Sequence, residues 1–300
     1  MNEQPQSENQ LVFKNFTLPS PGEAIMYNDV TYFIGKYIGK GAFSIVYECT
    51  DSWGNELAAK VLLPKQQPYN IIRDNWAREL DALVTFRHPF ITHIFAAFEY
   101  RDTFYIITER CHLTLHELFQ IENYNGYTWV MPIARCLLQA VQFLHDAGVI
   151  HKDIHPGNIF SSIIKDEVVP DKYNAMRFKL GDFGISRVVK DVDMFNTILA
   201  EWMLPPEFLK PNEFGIIDKR LDIYHTGLLL LEVIQGRPLK FTREQILDGV
   251  PRQMAETLPS PFNFALPKAL RRHVASRTSS AMELWRDLSA NISGTSQKNI

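Results

Sequence analysis

Val-Ile-His-Lys-Asp-Ile-His-Pro-Gly-Asn-Ile-Phe, residues 149–160, decides how the rest of the chain is read. A short apolar run enters a polar loop holding His151, Asp153, His155 and Asn158, and a second apolar run leaves it. An aspartate and an asparagine five positions apart on a tight loop can face one centre. The carboxylate can orient or deprotonate a hydroxyl, and the amide oxygen can bind a hard cation. His-x-Asp pairs also occur in ordinary turns, so the meaning of the loop depends on its company.

Composition narrows that company. With 300 residues there is room for two lobes or one large domain. Apolar residues at 46% and charged residues at 22% suit a globular chain with its own core. A formal net charge of −3 gives neither nucleic acid nor an anionic membrane an electrostatic reason to be the main partner. Cys49, Cys111 and Cys136 lack metal-binding spacing and suit reduced thiols in a cytoplasmic compartment. The first ten residues read as no secretory signal, and apolar runs such as Gly227 to Ile234 are too short to span a bilayer.

Upstream of the loop, residues 1–25 are polar and proline-spotted and read as a flexible arm. Strands are expected over Thr31–Ile38, Ile45–Thr50 and Glu56–Leu63. The first turn, Ile38-Gly39-Lys40-Gly41-Ala42-Phe43-Ser44-Ile45-Val46, has two glycines that let backbone N–H groups approach phosphate oxygens. Strands flank it on both sides with no helix following, which disfavours a Rossmann site. Lys60 sits near the end of an apolar strand, where a charge needs a partner. Residues 70–86 carry an apolar stripe (Ile72, Trp76, Leu80, Leu83, Val84) with Glu79 beside it. A hairpin follows, Ile94–Tyr100 and Thr103–Glu109, and then a helix over 127–146 that leads into the loop.

Downstream, Arg177–Leu180 is a short strand that runs into Gly181-Asp182-Phe183-Gly184. Leu204-Pro205-Pro206-Glu207-Phe208 comes next, then the stretch from Asp222 to Ile234, apolar nearly all round and therefore a buried helix. Arg277 and a last helix over about 279–290 close the pattern.

This ordered set resembles the protein kinases of the eukaryotic-like (Hanks-type) serine/threonine class, over roughly residues 30–292. The resemblance implies an α+β, bilobal fold. An N-lobe over 26–109 would hold a small antiparallel sheet and one key helix; a mainly helical C-lobe would cover 110–292, with a polar tail at 293–300. It implies a catalytic role for Asp153, Lys60, Glu79 and Asn158, with Lys60 paired to Glu79, and Mg²⁺ held by Asn158 and Asp182. ATP would lie against Ile38, Gly39, Lys40, Gly41, Ala42, Phe43, Ser44, Val46, Ala58, Lys60, Thr108, Glu109, Cys111 and Phe160. Thr108 would gate a back pocket, while the backbone of Glu109 and Cys111 would meet adenine. Asp222 would anchor the loop backbone, and Arg277 would pair with Glu207. The implied reaction carries the ATP γ-phosphoryl group to serine or threonine hydroxyls of a protein substrate, with neither nucleic acid nor membrane as partner.

Departures keep two alternatives open, a non-catalytic ATP-binding scaffold and a small-molecule phosphotransferase. Lys152 stands where the family has arginine, and lysine lacks the bidentate fork. His155 replaces the lysine of serine/threonine kinases, and Ala200 falls where a threonine meets the catalytic aspartate. The segment after the buried helix is short and weakly patterned. Ser44, Ser186 and Thr197 are candidate autophosphorylation sites.

Overall fold

The computed structural model describes residues 13–41, 44–64, 67–85, 87–164, 175–182, 187–188 and 203–290, with the backbone alone at 75, 78–79, 81–85, 164, 175 and 187–188. The fold is mixed α+β in two compact units. One consists of residues up to 85 plus 93–110 and is built on an antiparallel sheet; the other consists of 86–92 plus 111 onward and is mainly helical.

In the sheet unit, β1 (Ala24–Tyr27), β2 (Val30–Lys40), β3 (Ser44–Asp51), β4 (Glu56–Leu62), β5 (Ile94–Tyr100) and β6 (Thr103–Glu109) lie in the order β1-β2-β3-β4-β6-β5. The period-2 pattern explains which face is dry. Ile45, Tyr47 and Cys49 of β3 are buried, while Val46 is half-buried and Glu48 and Thr50 are exposed. Asn28 and Asp29, and again Arg101 and Asp102, take positive φ angles (49° and 62°, 49° and 56°), as two-residue hairpin turns demand. Asp51 closes the β3–β4 hairpin by accepting from the N–H groups of Trp53 (3.0 Å) and Asn55 (2.9 Å). Ile34, Tyr47, Leu57, Val61, Tyr105 and Ile107 form the core on one face. On the other face, Leu62, Phe104 and Ile106 meet Ile72 and Trp76 of α1 (Tyr69–Thr85), and the Trp76 indole donates to Tyr105 O at 3.2 Å.

The arm read over residues 1–25 divides in two. Residues 1–12 lie outside the described residues. Farther on, Lys14 Nζ reaches Asp102 at 2.7 Å, Phe16 packs on the core, and Thr17 N donates to the buried Thr103 hydroxyl, which donates back to Thr17 O. Single anchors in a polar stretch do not show in its composition, so the reading missed them.

The helical unit runs β7 (Leu113–Thr114), α2 (Leu115–Leu118), α3 (Gly126–Asp146), β8 (Val149–Ile150), β9 (Ile159–Ile164), β10 (Ala175–Leu180) and β11 (Arg187–Val188). It continues through α4 (Pro206–Leu209), α5 (Pro211–Phe214), α6 (Arg220–Gln235), α7 (Arg243–Asp248), α8 (Val250–Glu256), α9 (Phe262–Ala269) and α10 (Ala281–Ser289). α6 is buried on nearly every side and packs against α3. It stops at Gly236, whose φ of 67° is the left-handed cap that glycine supplies without strain. Among the described residues no helix is long and apolar enough to cross a membrane.

Gly126 opens α3 with no room for a side chain, because a Cβ there would lie 2.2 Å from Val233 O and 2.5 Å from Ile234 O. Both obstacles are backbone at the end of α6, so neither can swing aside. Gly126→Ala is expected to cost about 1–3 kcal/mol through overpacking, read as a lowered urea midpoint. An unchanged midpoint would refute the contact.

Candidate active site

The loop after β8 hangs from one carboxylate. Asp222, on the first turn of α6 and fully buried, accepts from His151 N (Oδ2, 2.9 Å), Lys152 N (Oδ1, 2.9 Å) and His145 Nε2 (2.9 Å). Burial alone would raise its pKa, but the His145 hydrogen bond and charge, with His151 and the Lys152 N–H behind them, hold it below the ordinary carboxylate value. Lys152 has φ 70°, a costly conformation for a residue with a Cβ, and the bonds to Asp222 from its N–H and that of His151 keep the turn there.

His151 links this loop to the next motif. Its Nδ1 accepts from Asp153 N (3.2 Å), so the proton belongs on Nε2, which donates to Gly181 O (3.1 Å). Burial lowers its pKa and favours the neutral ring that this tautomer requires. Gly181 N donates in turn to Asn158 O (3.0 Å). A Cβ on Gly181 would strike Phe160 Cε2 at 2.8 Å, so only glycine lets the two segments close this tightly. Asp182, exposed and at φ 58°, follows directly.

Asn158 Nδ2 donates both to Asp153 O (2.8 Å) and to Asp153 Oδ2 (2.9 Å). The amide nitrogen is thereby committed, and Oδ1 is the atom left to meet a cation. His155 Nδ1 accepts from Gly157 N (3.1 Å), which turns Nε2 toward Asp153 Oδ1 at 3.6 Å. Burial pushes the Asp153 carboxyl upward, but the His155 Nε2–H facing it, the nearby His151 ring and the Asn158 amide outweigh it, and the group stays ionised below its usual range.

The sheet unit supplies a second cluster. Gly39 pairs with Val46, Val46 with Lys60, and Lys60 with Ile106, one transverse row across β2, β3, β4 and β6. Paired residues share a face, so Val46 and the half-buried Lys60 lie on the side that α1 covers farther along. Lys40 pairs with Ile45, and Gly41 N closes the turn onto Ser44 O at 2.8 Å. Ile38 is partly exposed on β2, and Ala58 pairs with Thr108. The Glu109 N–H donates to His93 O (2.9 Å), and the Glu109 carbonyl accepts from the Thr108 hydroxyl (3.3 Å).

The residues expected from sequence thus gather in two sets. Asp153, Asn158, Phe160 and Asp182 share one unit, joined through His151 and Gly181; Cys111 belongs to the same unit. Gly39, Lys40, Gly41, Ser44, Val46, Ala58, Lys60, Thr108 and Glu109 share the other. Ala42, Phe43, Phe183, Ser186, Thr197, Ala200 and the Glu79 side chain lie outside the described residues. The reading missed His145, whose position beside the apolar stripe of α3 hinted only that it faces inward.

Glu232, ten positions after Asp222 on α6, is buried and accepts from Leu239 N at 2.7 Å. Burial pushes its pKa from 4.5 up to about 7. A group raised on folding stabilises most below its unfolded pKa, and that share is lost as pH rises through the folded value. Wild type should therefore lose roughly 1–3 kcal/mol between about pH 4.5 and pH 8 that Glu232→Gln does not lose. Urea midpoints at pH 5 and pH 8 check this; parallel pH profiles for the two proteins would reject it.

The family described as Protein kinase domain matches residues 32–289. Calcium-dependent protein kinase 19 of Arabidopsis thaliana is 30% identical over 213 residues, 69% of this chain and 36% of that protein. Serine/threonine-protein kinase 10 of Mus musculus is 26% identical over 217 residues, 70% of this chain and 21% of that protein. A Corynebacterium efficiens protein named as a probable serine/threonine-protein kinase is 28% identical over 280 residues, 86% of this chain and 40% of that protein. The chain therefore spans between 21% and 40% of the length of these relatives.

Proposed function

The chain belongs to the protein kinase family, and from that premise we propose that it transfers the γ-phosphoryl group of ATP to serine or threonine hydroxyls of protein substrates. The loop hung on Asp222, in which Asn158 grips Asp153 and Gly181 ties Asp182 alongside, carries this reading. Asp153 would orient the acceptor hydroxyl and take its proton as the oxygen bonds to phosphorus and the bond to the departing ADP oxygen breaks. Its low pKa supports that role, since the carboxylate stays ready to accept.

Asn158 Oδ1 and the Asp182 carboxylate are hard oxygen donors of the kind Mg²⁺ takes together with phosphates, so these residues fit the ion. When bound, Mg²⁺ supplies charge that offsets the charge developing on the phosphoryl oxygens. Lys60 would hold the α- and β-phosphates, with Glu79 fixing the lysine. The Gly39–Ser44 turn would cover the phosphates, and Val46, Ala58 and Phe160 would pack on the base. The Glu109 carbonyl and the Cys111 backbone would meet the adenine edge.

The buried Glu207–Arg277 pair and the Asp222 anchor favour a protein acceptor, as do relatives named serine/threonine-protein kinases. The free thiols Cys49 and Cys136 suit a reducing, cytoplasmic setting. Incubation with Mg-ATP and a generic acceptor protein, followed by phosphosite mapping, tests the proposal. Phosphoserine or phosphothreonine is the expected product. Transfer only to choline, sugars or aminoglycosides would move the assignment to a small-molecule phosphotransferase, and ATP binding without transfer to a scaffold.

A further inference from the structure

Away from the loop, an open concavity of ≈ 460 Å³ in the helical unit is lined by Arg252, Arg271, Arg272, His273 and Ser276. Arg252 projects from α8, and the others come from the segment between α9 and α10. We infer that these residues form a binding site for a phosphomonoester group. The inference goes beyond the kinase reading and does not need it.

Three guanidiniums at one concavity repel each other unless something negative sits among them. Two carboxylates of this region are already engaged, Glu256 with Arg252 (2.8 Å) and Glu207 with the buried Arg277. Among the described residues, Arg271 and Arg272 form no ion pair; each spends one N–H on a backbone carbonyl, Ser276 O at 2.7 Å and Leu247 O at 2.6 Å. Those bonds aim the guanidiniums while leaving most of their five donors to serve a ligand. The Arg272 guanidinium also lies 5.5 Å from the Phe214 ring centre, and the His273 ring meets the same Phe214 at 5.2 Å.

The backbone beneath is held rigidly. Arg277 Nε donates to Arg271 O (2.7 Å) and its Nη2 to Arg272 O (3.1 Å) from a fully buried ion pair. A site whose donors are fixed in advance loses little entropy on binding. With Glu256 balancing one arginine, the excess positive charge matches a phosphomonoester, which carries about −1.5 to −2 near neutral pH. A single carboxylate would leave part of it uncompensated, and arginine forks match phosphate geometry.

The test uses the full chain with two probes, inorganic phosphate and a fluorescent phosphoserine peptide, and the unphosphorylated peptide as control. Anisotropy and calorimetry should show phosphate-dependent binding that weakens with added salt. Arg252 and Arg271 are both exposed, so the double variant R252Q/R271Q should keep its unfolding midpoint and bind at least about tenfold more weakly. R271K keeps the charge but loses the fork, and a loss of several-fold is expected there even if the double variant misfolds. Tighter binding of the free ion points to a small phosphate as the natural occupant, and tighter binding of the peptide to a phosphorylated chain; either supports the site. Equal affinity for both peptides together with no binding of inorganic phosphate, or affinity untouched by R271K and R252Q/R271Q, overturns it.

Discussion

Asp153→Asn is expected to lower turnover about 10²–10⁴-fold while ATP affinity changes little. The substitution is nearly isosteric. The new amide oxygen can still accept from Asn158 Nδ2, which now donates to Asp153 Oδ2 at 2.9 Å, so the loop should keep its shape. The backbone bonds from His151 and Lys152 to Asp222 do not involve the side chain at 153 and persist as well. What disappears is the ionised carboxylate that His155, His151 and Asn158 hold below its usual pKa, and with it the acceptor for the hydroxyl proton. Nucleotide affinity is assigned to other residues, Lys60, Asn158 and Asp182 among them. Initial rates with Mg-ATP and an acceptor protein, paired with a calorimetric ATP titration, separate the two effects. Turnover like that of the wild type would end the assignment of Asp153. Joint loss of turnover and ATP binding would mean that the loop had collapsed and that the substitution had tested folding instead.

Much of the chain was legible because its signals are local. Asp153 and Asn158 stand five apart on one loop, and Gly181 and Asp182 are adjacent, so spacing alone could propose that they act together. The strands β2, β3 and β4 were read with boundaries close to those observed, since period-2 burial shows directly in residues such as Ile45, Tyr47 and Cys49. Features set by partners distant in sequence were hidden. His145 reaches an aspartate 77 positions away, and no periodicity names that partner. β1 has only four residues, too few for alternation to stand out. The backbone of Glu109 was read as meeting adenine; that its N–H donates to His93 O, just before the strand beside it, is a pairing that a reading along the chain cannot anticipate. The His155 departure was visible in sequence; its clamp on Asp153 depends on Gly157 N, which fixes the ring.

The largest loss of stability is expected from Arg277→Ala, about 3–5 kcal/mol. Glu207 and Arg277 have side chains with no solvent exposure, and they meet through two parallel hydrogen bonds of 2.6 and 2.5 Å. Burying the two charges costs several kcal/mol each, which their mutual attraction repays only while both are present. Removing the guanidinium leaves the Glu207 carboxylate desolvated and unpaired. It also strips donors from the carbonyls of Arg271 and Arg272 and removes the cation 4.6 Å from the Tyr224 ring centre. The companion experiment distinguishes charge burial from lost packing. In the double variant Glu207→Leu, Arg277→Met, no charge is left stranded, so stability should recover by more than half of the single-variant loss. Recovery should stay incomplete, because methionine cannot serve the two orphaned carbonyls. Urea unfolding of wild type, single and double variants gives all three values. A single variant within about 1 kcal/mol of wild type would mean that water reaches Glu207 and that the pair is not a dry link between α4 and the segment before α10.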